Sequence, residues 1–173
     1  AFTGTTTVRA FTRLNVSTAT AAPAGPIIVE ASGSPAYGAY YSHPGSTVTN
    51  VNSITIAGTG PASPVDNPRG KGALRLGNVW AGPVVLSADA TIGGDGTGSI
   101  IGNISDGGSG FAVEYFGGTV QVGPTTGTNS YGSTLINEDY NGAFNLPQLT
   151  TVRLLNSNAF SLGPVSLKGL VRL

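Results

Sequence analysis

The chain has 173 residues, enough for one domain with a sizeable core, and only 9% are charged, against roughly a quarter in ordinary soluble proteins. Eight Lys and Arg cancel eight Asp and Glu, so there is no basic field to gather phosphates, and a nucleic-acid partner is not expected. Cysteine and methionine are both absent, which excludes disulfides, thiol chemistry and Cys-based zinc or iron–sulfur sites.

In chain order, the sequence reads almost wholly as short strands and turns. Thr5-Thr6-Thr7-Val8 and Leu14-Asn15-Val16 come first, and Ile27-Ile28-Val29 follows Gly25-Pro26. Residues 32–47 break the alternation with Gly, Pro, Tyr and the only His, and Ser53-Ile54-Thr55-Ile56 restores it. Residues 58–72, with three prolines among glycines and charges, read as a projecting loop. Ala73-Leu74-Arg75-Leu76 places its leucines inward and Arg75 outward. Val84-Val85-Leu86, Ala90-Thr91-Ile92 and Ser99-Ile100-Ile101 continue the series, each closed by glycine.

The stretch from Gly110 to Ile136 organises the rest. It holds Phe111-Ala112-Val113-Glu114-Tyr115-Phe116, then Gly117-Gly118, then Thr119-Val120-Gln121-Val122, and a third strand entered through Asn129-Ser130-Tyr131-Gly132. Val120 and Val122 point one way, Thr119 and Gln121 the other. Thr151-Val152-Arg153-Leu154, Phe160-Ser161-Leu162, Val165-Ser166-Leu167 and Leu170-Val171-Arg172-Leu173 complete the series. No segment holds a helical period over three turns. The expected core includes Val120, Val122, Leu135, Val152, Leu154, Leu162 and Leu167, with Arg75, Gln121 and Arg153 facing solvent.

Internal repetition is the strongest organisational signal. Ala1–Val8 resembles Asn129–Ile136, with Tyr131 matching Phe2. A Gly-Pro motif opens a strand three times, at Gly25-Pro26, Gly82-Pro83 and Gly163-Pro164. Proline cannot donate to a sheet ladder and suits the first residue of a strand just after a corner. A chain that turns a corner and starts a strand in this way three times is expected to wind. Short strands of two or three apolar side chains cannot offset their own ordering entropy, but stacked rungs share one core. The expected fold is therefore all-β, a single β-solenoid (β-helix) domain over 1–173. A β-sandwich is the alternative, since short strands with frequent turns describe it as well.

Gly118-Thr119-Val120-Gln121-Val122 followed by Asn129–Ile136 resembles the autotransporter-associated β-strand repeat of bacterial surface proteins, with one residue missing after Tyr131. The run Gly77–Pro83, with Asp89–Ile92 after it, is also similar to large repeat-bearing surface proteins. The resemblance touches most of residues 73–173 and the first thirty or so. It implies a β-solenoid spacer, adhesin or filament component, extracellular or on the bacterial cell surface, rather than a catalyst.

Candidate chemistry is thin. Asp95, in Gly94-Asp95-Gly96, has the look of a calcium repeat, but the second aspartate of that pattern is absent and a turn is the plainer reading. Glu138 and Asp139 are adjacent, so on a strand their side chains diverge. Tyr37, Tyr40, Tyr41 and His43 could form a sugar-stacking platform, against a plainer reading as a loop that covers the core. Asn15-Val16-Ser17 and Asn103-Ile104-Ser105 match the glycosylation sequon, a pattern frequent by chance in such a chain. No catalytic, cofactor or metal residue is nominated, and no cofactor is expected. A polysaccharide-binding or polysaccharide-degrading β-helix, with acids gathered from successive rungs, is the alternative function.

The expected partners are copies of the chain itself, or neighbouring repeats of the same protein, together with surface carbohydrate. No membrane insertion is expected, and any export signal is expected outside these residues. Residues 129–173 repeat the pattern of 1–35, Pro164 matching Pro26, so the chain is expected to begin in mid-repeat with strand-like edges at both ends. Such edges pair readily, and identical subunits joined head to tail make an open filament. The strand Thr5–Val8 would then complete a neighbour's sheet. The alternative is a fragment of a longer solenoid.

Overall fold

The computed structural model of the chain describes residues 2–10, 12–16, 23–31, 40–43, 49–60, 72–94, 96–137, 139–141, 146–169 and 171–173. Among them every regular element is a strand and none is a helix. The first strands are β1 (Thr6–Val8), β2 (Arg13–Asn15), β3 (Ile27–Val29), β4 (Tyr40–His43), β5 (Thr49–Asn50) and β6 (Ile54–Gly58). Then come β7 (Leu74–Leu76), β8 (Val79–Trp80), the long β9 (Val84–Gly94), β10 (Thr97–Ile100), β11 (Ile104–Ser105), β12 (Ala112–Phe116) and β13 (Thr119–Val122). The last are β14 (Ser133–Asn137), β15 (Asp139–Asn141), β16 (Leu146–Gln148), β17 (Thr150–Leu154), β18 (Val165–Lys168) and β19 (Val171–Arg172).

The strands stack in parallel as three columns. In the first, Thr6 lies opposite Ile27, Ile27 opposite Ile54, Ile54 opposite Val84 and Val84 opposite Ile104. The second runs Leu14, Tyr41, Leu74, Ile92, Tyr115, Ile136, Leu167. The third runs Asn50, Trp80, Ile100, Val122, Leu154. The first two columns belong to one eleven-stranded sheet, joined through β9 at a register shift between Ile56 and Gly58, and the third forms a six-stranded sheet. Among the described residues only the small β15–β16 pair is antiparallel. A parallel neighbour can be reached only after a crossover, and from β9 to β14 the chain passes through the six-stranded sheet, by β10 and β13, before it meets its partner. Such stacking is consistent with a solenoid-like coil.

Inward positions form apolar ladders. Ile27, Ile54, Val84 and Ile104 are buried in the first column, Leu74, Ile92, Tyr115 and Ile136 in the second, and Trp80, Ile100 and Val122 in the third. Each rung adds one or two such side chains per column, and burying a Leu or Ile contributes about 1.5–3 kcal/mol.

Glycine makes the corners. At the entry to the first column the backbones of successive rungs touch: a Cβ on Gly82 would lie 1.9 Å from the Asn52 carbonyl oxygen, and one on Gly102 2.0 Å from that of Gly82. The next residue in each rung stands just before a strand, and its carbonyl accepts from the rung before, as when Thr6 N donates to Pro26 O and Ile54 N to Pro83 O. Proline is tolerated there because the position is needed as an acceptor. Between the second and third columns Gly117 and Gly118 turn the chain with φ of 69° and 51°, so β12 and β13 belong to different sheets.

Several expectations need correction. The three Gly-Pro copies do not share one corner: Pro26 and Pro83 precede first-column strands, whereas Pro164 precedes β18 in the second column, where its carbonyl accepts from Thr134 N. Phe160-Ser161-Leu162 forms turns and bends rather than a strand, and Tyr40–His43, placed in a region of broken pattern, is strand β4. Val84–Leu86 and Ala90–Ile92 are one strand. Val120, Val122 and Val152 are buried as expected. Leu135 instead faces outward and is half-buried, because Thr134 and Ile136 take the inward positions and the Tyr131 hydroxyl satisfies Thr134 at 3.0 Å. Leu154 and Leu167 do sit opposite buried Val122 and Ile136, yet they are 45% and 55% exposed, for β19 pairs only with Thr150 and Thr151 at the start of β17, and no described strand lies beyond β18. Leu162 projects fully into solvent from its turn. Arg153 is exposed as expected, whereas Arg75 and Gln121 are half-buried.

Candidate functional surfaces

Three polar constructions and one apolar edge stand out from the stacked sheets. The first closes the turn after β11. Asp106 accepts hydrogen bonds from Gly108 N (2.8 Å) and Phe111 N (2.9 Å). Burial works to raise the pKa of this carboxyl, but the backbone donors, Gly110 included, outweigh it and hold it below the ordinary value. Its role is to fold a loop whose Gly107, Gly108 and Gly110 all have positive φ.

The second is a ladder on the outer face of the second column. Thr91 donates to Glu114 Oε2 (2.7 Å) and the Asn137 amide to Glu114 Oε1 (2.9 Å), so both carboxylate oxygens are engaged across three rungs. Asp89, on the same face, accepts from Ala112 N (2.8 Å). Thr91, Glu114 and Asp89 line a shallow cleft of about 180 Å³ that Thr59 and Leu135 complete. Asp89 and Glu114 lie far apart in the sequence, on different rungs. The period of the rungs brings them to one cleft.

The third surrounds Asn129. Its Oδ1 accepts from Ile104 N (2.8 Å) and its Nδ2 donates to Ala159 O (2.6 Å), so one buried amide ties three successive rungs where the first column has no regular strand. Ser161 Oγ accepts from Tyr131 N (3.1 Å), and Phe160 stacks on the buried ring of Tyr115 with centroids 6.0 Å apart. Between these turns lies a cavity of about 370 Å³, with Ser130, Ser157, Asn158 and Ser161 on its polar side and Phe160 and Leu162 on its apolar side. Beneath it Tyr115 is fully buried, and its hydroxyl makes no hydrogen bond of good geometry. Burial, then the Tyr131 hydroxyl, push its pKa well above the usual tyrosine value. Burial also raises Tyr131, with partial relief from the hydrogen bonds it makes.

The fourth is the face of the last strands. Leu154, Val165, Leu167 and Leu173 are exposed there, while Arg153, Lys168 and Arg172 stand on the same strands and the turn after them. At the opposite end only Phe2 among large apolar side chains of residues 2–10 is exposed, at 63%, and its partner in the repeat, Tyr131, is buried.

The other nominated residues fare unevenly. Asp95, Glu138 and Tyr37 lie outside the described residues. Tyr40, Tyr41 and His43 are on β4 and Asp139 on β15, with side chains that are likewise outside the description. Asn15 is exposed, whereas Asn103 is half-buried and its amide faces Thr128 O at 3.4 Å. Among the described residues no three His, Cys, Asp or Glu side chains gather as a metal site, and no helix is long and apolar enough to cross a membrane. No protein-family model matches the chain, and comparison with curated proteins and with solved structures finds no match in either.

Proposed function

We propose that the chain is a β-solenoid module with a structural role in a bacterial cell-surface or extracellular protein, a spacer, adhesin or filament element rather than a catalyst. Its stacked sheets extend end to end by pairing with further rungs, in a second copy or elsewhere in the same protein. The observation that carries this reading is the state of the last rung: Leu154, Val165 and Leu167 stand in register with buried Val122, Thr134 and Ile136, yet they lack cover. An apolar strand edge in this state is a ready template for another strand. Support also comes from the resemblance of Gly118–Val122 and Asn129–Ile136 to the autotransporter-associated repeat. The polysaccharide-degrading alternative draws on the cleft between Asp89 and Glu114. There the carboxylates are occupied with holding the stack: Glu114 by Thr91 and Asn137, Asp89 by Ala112 N.

Light scattering against concentration tests the reading. Particle size is expected to grow with concentration, and less so for Leu167→Asp or for a chain lacking residues 1–8. A chain that remains monomeric throughout, with and without these changes, rules out self-assembly and leaves only a passive rung in a longer coil.

A further inference from the structure

The cavity beside Asn129 has a chemistry that the stacking role does not require. None of the side chains that line it is ionisable. Its polar side is built of hydroxyls and an amide. Ser161 accepts a hydrogen bond from Tyr131 N and so keeps its own hydrogen to donate. The hydroxyls of Ser130 and Ser157 make no hydrogen bond to another described residue. Asn158 reaches Gly127 O only at 3.3 Å, which leaves its side-chain oxygen to accept. The opposite side is apolar, with Phe160 held in place by its stack on Tyr115 and Leu162 projecting beside it. The frame is rigid, because Asn129 uses both ends of its amide on backbone groups of neighbouring rungs. At about 370 Å³ the space suits one or two small rings.

We propose that this cavity is a binding site for a neutral saccharide. Hydroxyls and an amide on one side match the many hydroxyl groups of a sugar, and an apolar wall on the other matches its C–H face. With no ionisable group in the lining, nothing compensates the desolvation of a charged ligand, so uronates and sulfated sugars are disfavoured. The site does not depend on end-to-end stacking.

Titration with soluble cello-, malto- and chito-oligosaccharides, followed by ligand-observed NMR, tests the proposal. Saturable binding to at least one neutral series is expected, with Kd on the order of 1 mM for a handful of hydrogen bonds. Asn158→Ala and Ser161→Ala should each weaken it about fivefold, as for one lost hydrogen bond. Leu162→Ala, on a fully exposed side chain whose loss leaves the fold intact, should weaken it by a similar factor. No binding to any of the three series, tighter binding of oligouronates, or equal binding by Asn158→Ala and Leu162→Ala overturns the proposal. Each result reads separately from light scattering: a stacking chain that binds no sugar ends this inference alone, and a monomer that binds sustains it.

Discussion

Ile136 and Leu167 are register partners on adjacent strands of one sheet, with similar side chains and the same inward direction. Ile136 is sealed, because β18 lies on one side of its strand and β12 on the other. Leu167 is more than half exposed, because β14 lies on one side and no described strand on the other. The third column repeats the contrast with Val122 and Leu154, for β19 reaches only the first two residues of β17 and stops short of Leu154. Burial in a stack of short strands is therefore a property of the neighbouring rung rather than of the side chain. Alternation along a strand tells only which way a residue points.

The contrast can be broken most sharply by charge. Ile136→Asp should cost about 4 kcal/mol or more in urea unfolding, since it leaves an unpaired charge in the core. Leu167→Asp should cost below about 1 kcal/mol, as a substitution at an open edge. Equal costs would mean that the last rung is covered in solution. Truncation gives the next largest difference: Ile92→Ala is expected to lose about 2–5 kcal/mol through the cavity it leaves, and Val165→Ala far less.

Glycines allow the same comparison on the backbone. A Cβ on Gly132 would sit 2.0 Å from the Gly110 carbonyl oxygen, so Gly132→Ala must push two rungs apart and should cost about 1–3 kcal/mol. Gly107, whose Cβ would meet open space at φ of 65°, should cost only about 1 kcal/mol as alanine, for the strained conformation alone. The smallest effect is on pH. Asp106 titrates lower folded than its ordinary 3.8, so its contribution is present above that value and lost as pH falls through the folded one. Tyr115 and Tyr131 titrate higher folded, so their contribution is complete below pH 10 and declines as pH rises further. Thermal melts should therefore fall at both extremes. Asp106→Asn should flatten the acid side only.

Much of the strand content is legible in the sequence, because period-two alternation in Leu74-Arg75-Leu76 or Thr119-Val120-Gln121-Val122 needs no knowledge of neighbours. Leu135 misleads for a definite reason. Its register depends on Thr134 being satisfied by Tyr131, a contact made when the turn at Gly132 brings the two hydroxyls within 3.0 Å. Pro164 misleads in a similar way: Gly-Pro signals a corner, but two corners of the rung accept the same dipeptide. The polar ladder of Thr91, Glu114 and Asn137 is invisible along the chain, since its members come from three different rungs.

What the sequence by itself determined is local: which residues extend, which face they turn inward, and where glycine bends the backbone. Those follow from sterics and from the alternation of side chains, which act over a few residues. The tertiary structure decided which strand lies over which, and with it everything that depends on a neighbour. It ties Asn129 to Ile104 and Ala159, gathers serines from two turns against Phe160, and leaves Leu167 open while Ile136 is closed. Loops of unequal length separate the rungs, so the spacing of residues in the chain carries no record of which ones meet.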